Sequence, residues 1–150
     1  MAHAREQVRL AVYNLLNGET AAGSNVHRER VYKFAKDDLP AITISTPLDE
    51  IAEDFDTTGG VLLHALNLVV EARVEAASNA FPENDLDDLC AEIEALIGGD
   101  PTLSSLVQWV RPSSAETDLD GEQETVVGLA TMVFRVQYET PADDPETISG

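Results

Sequence analysis

Hydrophobic positions along this chain change period several times, and each change predicts an element. Over residues 3–17, Ala4, Val8, Ala11, Val12, Leu15 and Leu16 recur at helical spacing. Arg5, Glu6, Arg9 and Asn14 fall elsewhere, as in an amphipathic helix. Gly18 suits the left-handed residue after a helix, and residues 19–25 have loop composition. His3 is expected in a fraying terminus.

From Val26 to Phe34 the pattern is ragged and reads as a strand, followed by a turn at Lys36-Asp37-Asp38. Pro40 leads a strand over Ala41 to Thr46, with Ile42 and Ile44 on one face and Thr43 and Ser45 on the other. Residues 48–56 alternate again but are polar enough for an edge strand or a loop. Residues 61–76 give the clearest strand. Leu62, Leu66, Leu68, Val70, Ala72 and Val74 share one face, and Asn67, Glu71, Arg73 and Glu75 the other.

A second helix starts near Phe81 to Asp85 and carries Leu86, Leu89, Cys90, Ile93, Leu96 and Ile97 as its stripe. Gly98-Gly99 ends it. A strand begins at Gln108 to Pro112, residues 113–125 form a long acidic loop, and residues 126–139 are the last strand. In that strand Ala130, Met132, Phe134, Val136 and Tyr138 alternate with Thr131, Arg135, Gln137 and Glu139.

This order predicts the α+β class. A mainly antiparallel or mixed sheet is flanked by two main helices in one compact domain over residues 1–140, with 141–150 a flexible acidic tail. At 150 residues the chain can bury about 70% of its unfolded surface.

Composition narrows the function. Asp plus Glu number 28 against 9 Lys plus Arg, a net charge of −19. Free nucleic acid and anionic membranes are disfavoured, because both are bound through Lys and Arg. The single cysteine, Cys90, excludes an intrachain disulfide and a paired-cysteine zinc site, and its place on the helix stripe makes it a core residue. Neither a signal peptide nor a membrane span is expected.

Catalytic signatures are missing: there is no phosphate-binding glycine loop, no nucleophile elbow and no paired-histidine metal motif. His64 sits on the apolar face of the best strand and reads as a core or interface histidine. Glu116, Asp118, Asp120 and Gly121 imitate the opening of a calcium loop, but Val127 stands where the bidentate glutamate belongs. No catalytic residue, cofactor or specific metal is expected.

Two charged segments are the candidate sites. Arg28, Arg30, Lys33 and Lys36 are four of the nine cations and enclose Tyr32 and Phe34. They are either a solvated strand face or a cationic patch that meets an acidic patch on another copy or another protein. Glu116, Asp118, Asp120, Glu122 and Glu124 supply an acidic segment for an interface or a lumen.

The order and spacing of segments resemble the tail terminator (tail completion) family of long-tailed phages. The resembling pieces run over about residues 3–140. They are the opening helix to Leu16-Asn17-Gly18, Val26 to Tyr32, Leu39 to Ile44, Leu66 to Ala76, Asp85 to Glu94 and Phe134 to Thr140. The resemblance implies a non-enzymatic virion protein, a six-fold ring stacked on the last ring of the tail tube. Its implied partners are further copies of itself, the major tail tube protein and a neck or head-closure protein. DNA would be only a passenger through the channel, and no cofactor or membrane is implied. Another neck component, or an acidic interaction module unrelated to phage, are the alternative readings.

Overall fold

The computed structural model describes residues 2–28, 39–52, 60–77, 82–120 and 125–149. Helix α1 (Ala4–Leu16) is followed by β1 (Val26–His27), β2 (Ala41–Ile51), β3 (Val61–Ala77), α2 (Pro82–Gly98), β4 (Trp109–Asp120) and β5 (Thr125–Pro141). The strands make one mixed sheet in the order β1-β2-β3-β5-β4. Among the described residues β1 and β2 pair in parallel and the other pairings are antiparallel. The expected α+β class with two main helices is the class observed.

Both helices lie on one face of the sheet. The buried stripe of α1 (Ala4, Val8, Val12, Leu16) and that of α2 (Leu86, Leu89, Ile93, Ile97) share a single core with alternate residues of β3 and β5. Leu66, Leu68, Val70, Met132, Phe134, Val136 and Tyr138 come from the two strands. These are the faces that the alternation predicts. Burying side chains of this size contributes about 1.5–3 kcal/mol each relative to exposure. The reverse face has no helix over it among the described residues. There Asn67, Val69, Glu71 and Arg73 lie beside Leu129, Thr131, Val133 and Arg135, all half-buried.

Two bulges reset which side chains face the helices. On β2, Ser45 pairs with Val69 but Leu48 with Asn67, so β2 carries one extra residue around Pro47. Upstream of it odd-numbered residues such as Thr43 face away from the helices. Downstream Asp49, opposite Leu66, faces toward them. On β4, Pro112 pairs with Phe134 and Ser114 with Val133. That extra residue turns Glu116 and Asp118 to the helix-free face, opposite Thr131 and Leu129.

Four sequence expectations change. The single strand β2 joins what reads as two alternating segments, at 41–46 and 48–51; the remainder of the second, 53–56, lies outside the described residues. Most of the acidic segment expected as a loop is strand: β4 runs unbroken to Asp120. It lacks an apolar face because α2 leaves it uncovered, and residues 111–119 are all exposed.

The tail is the third change. Residues 142–149, expected to be flexible, are tied back. Ala142 N–H donates to Gly60 O, Ala4 N–H to Pro145 O at 2.9 Å and Ser149 N–H to Glu139 O at 2.8 Å. Gln7 Nε2 donates to Glu146 O, and Ile148 packs against the core. Backbone hydrogen bonds of this kind need no sequence signal, so composition alone missed them. His3 likewise does not fray: its Nδ1 accepts from Arg5 N–H at 3.1 Å and caps α1.

After α2 the chain makes a tight turn in which Leu103, Ser104 and Ser105 all take left-handed backbone, with φ of 49°, 58° and 67°. Such a run costs about 1–2 kcal/mol per residue. Asp100 offsets part of it by accepting from Ser104 N–H and Oγ, and the turn buries Leu103 and Val107.

Candidate functional site

The β2 bulge creates a buried polar array at one end of the sheet. The Asp49 side chain is 7% exposed and that of His64 9%. Asp49 Oδ1 accepts from His64 Nδ1 at 3.0 Å, and Oδ2 accepts from the Tyr138 hydroxyl at 2.8 Å. A guanidinium nitrogen of Arg5 on α1 lies 3.7 Å from the same Oδ2. With Nδ1 hydrogen-bonded to Asp49, Nε2 on the other side of the ring pairs with the Thr140 hydroxyl 2.8 Å away. His64 also stacks on Tyr138 with ring centroids 4.5 Å apart.

Carboxylate, imidazole and hydroxyl thus stand in the order of a nucleophilic triad. Thr140, however, is 2% exposed and the Tyr138 ring is fully buried beside it. A substrate carbonyl has no approach to that oxygen. What the array does is join α1, β2, β3 and β5 through a charge that has all its partners. Burial first, and then the hydrogen bond to Asp49, push the Tyr138 phenol well above its ordinary 10.0. Sequence reasoning reads His64 as a core or interface histidine, and it is buried here. The same reasoning misses Asp49 and Tyr138 as its neighbours because the bulge changes the phase of β2.

The acidic strand is the second feature. Glu116 and Asp118 point to the helix-free face and, with Thr117, Leu129 and Thr131, line a shallow depression of about 420 Å³. Asp118 Oδ1 accepts only its neighbour's Leu119 N–H, and among the described residues no cation pairs with either carboxylate. Arg73, on the same row as Asp118 beyond Leu129, turns the other way to Glu71 and Thr43. Extended backbone spaces Glu116 and Asp118 by about 6.6 Å, so they do not wrap a single ion as a calcium loop does. Among the described residues no three metal-ligating side chains converge.

The candidate basic patch is represented by Arg28, which is exposed at the end of β1 and places its guanidinium 5.1 Å from the Tyr13 ring centroid. Arg30, Tyr32, Lys33 and Lys36 lie outside the described residues, as do Glu122 and Glu124. Asp120 is paired with Val127 at the end of β4. The structure therefore brings Glu116 and Asp118 together but sets Arg28 at the opposite edge of the sheet.

The other described cations have partners within the chain. Arg9 donates to Thr46, and Arg135 to Glu50 and Asn67. Arg111 lies 4.3 Å from the Trp109 ring centroid. Cys90 is half-buried against the core; burial, with Glu94 and Asp87 behind it, pushes its thiol up to about 11. No described helix is long and apolar enough to cross a membrane.

No family model matches this chain. No curated protein matches it. Among solved structures it is similar to a chain of the virion of a native gene transfer agent (GTA) particle, at 17% sequence identity and a TM-score of 0.50. The match covers 89% of this chain and 95% of that one. The two share a fold over nearly their whole lengths.

Proposed function

We propose that this chain is a structural subunit of a phage-like virion, and that it caps the tail tube as a ring, six-fold in the tail terminator pattern. In that role it ends tube polymerisation and forms the tail side of the head–tail junction. It works in the virion without catalysis or cofactor. Its partners are other copies of itself, the major tail tube protein and a neck protein, and DNA passes through as cargo.

The observation that carries this reading is the near end-to-end likeness to a virion chain. The segment order that resembles the tail terminators supports it. So does the charge: Glu116 and Asp118 of β4 stand exposed without a cation among the described residues, as an assembly surface or a channel wall needs. If they line the channel, DNA is repelled over about 8 Å, the screening distance at physiological salt.

The test is direct. Purified protein added to tails assembled without heads should bind the open end of the tube and render it competent to join filled heads. Particles lacking the polypeptide should carry tails of uncontrolled length or unattached tails in electron micrographs. Binding to filled heads and not to tubes would move the protein to the head side of the neck. Normal tails firmly joined to heads in its absence would end the reading.

A further inference from the structure

The two edges of the sheet are unlike. One edge is β4. Beyond Val110, whose N–H donates to Pro101 O, no backbone donor or acceptor of the described residues pairs with its outer side. Residues 111–119 are exposed on both faces. Toward the helices a cleft of about 240 Å³ separates β4 from Glu94 on α2. Toward the reverse face lies the depression holding Glu116 and Asp118. The other edge is β1, two residues long, with exposed Arg28 at its end.

Four strand spacings separate the two edges, about 19 Å, so Arg28 does not neutralise the β4 carboxylates of its own copy.

We propose that copies of this chain join head to tail, the acidic β4 edge of one copy receiving the β1 edge of the next through its exposed Arg28. Each contact puts unlike charges together. Two β4 edges meeting each other would set carboxylates against carboxylates, which is destabilising. The charge that keeps an open edge from pairing with its own kind thereby selects the opposite edge. A contact between different surfaces repeats from copy to copy, and it closes into a ring wherever the rotation per copy divides a full turn. The depression beside Leu129 suits the aliphatic stem and charged head of an arginine or lysine. The inference rests on the multi-copy reading proposed above and names the surfaces through which the copies meet.

Sedimentation of the purified full chain across concentration tests it separately from tail binding. Two variants are used: Glu116→Arg with Asp118→Arg, and Arg28→Glu. Each should associate at least about tenfold more weakly than the unmodified chain. Their equimolar mixture should associate more tightly than either alone, because the reversed β4 edge meets the reversed β1 edge and both remaining edges are unchanged. Rising salt should weaken association of the unmodified chain. All three positions are exposed, and far-UV spectra of the variants should match the unmodified chain. If folding is disturbed, the milder pair Glu116→Gln with Asp118→Asn gives the same reading through a reduced salt dependence.

An unmodified chain that is monomeric at every concentration would overturn the edge contact. So would variants that associate undiminished, or a mixture no tighter than its components. Each of these results leaves capping of tubes to be judged on tails.

Discussion

Asp49 and Tyr138 meet across an intervening strand: the carboxylate on β2 accepts the phenol on β5 at 2.8 Å, over His64 of β3, which stands directly opposite Tyr138 in the register. The bulge at Pro47 is what makes this possible, since an unbroken β2 would turn Asp49 to the other face. Replacing Tyr138 by Phe removes one donor from a buried carboxylate and should cost about 1–3 kcal/mol in urea unfolding. Asp49→Ala should cost more, because it strands the phenol, the imidazole and Arg5 together.

The same phenol sets an alkaline limit. Its folded value is raised above the ordinary 10.0, so its contribution is complete below that value and is lost as pH climbs above it, where the unfolded chain releases the proton first. Stability measured between pH 9 and 11 should fall for the unmodified chain and fall less steeply for Tyr138→Phe. Equal slopes would remove the phenol from the account.

Cys90 shifts in the same direction, from 9.0 to about 11. Two units mean about a hundredfold less thiolate than an ordinary cysteine at pH 8. Alkylation by iodoacetamide should be slower by a comparable factor in the folded chain and should return to the ordinary rate in denaturant.

Gly128 sits where β5 is crowded by neighbouring core side chains. An added Cβ would stand 3.2 Å from Val74 Cγ2 and 3.3 Å from Leu86 Cδ2. Both are ends of side chains, so they can yield. Gly128→Ala should cost about 1 kcal/mol and Gly128→Val more, read as a lower urea midpoint at unchanged slope.

Much of the fold is legible in the sequence because most elements have one buried face. The stripes of α1 and α2 and the alternation of β3 and β5 record that burial residue by residue. Where the physics leaves no such record, the sequence is silent. The outer half of β4 is exposed on both sides and resembles a loop. Residues 142–149 are held largely through backbone groups, which every residue possesses. The Asp49–His64–Tyr138 array depends on one inserted residue, and its only signal is Pro47 within a strand pattern. The acidic candidates are legible by charge, but their opposition to Arg28 across the sheet is a matter of topology.

At the turn after α2, Ser105 holds a φ of 67° that glycine adopts without penalty. Its backbone N–H donates to Thr102 Oγ1 at 3.2 Å, and glycine keeps that bond. Ser105→Gly should therefore raise the melting temperature slightly, by no more than about 1 kcal/mol of added stability. A fall would mean that the left-handed run is not strained.

The hydrogen bond from Ala4 to Pro145 brings residues 4 and 145 to one corner. Fluorophores attached at each would sit within efficient energy transfer of one another while the protein is native. A short peptide joining them should give a circular backbone with the same architecture, from which new ends can be opened elsewhere.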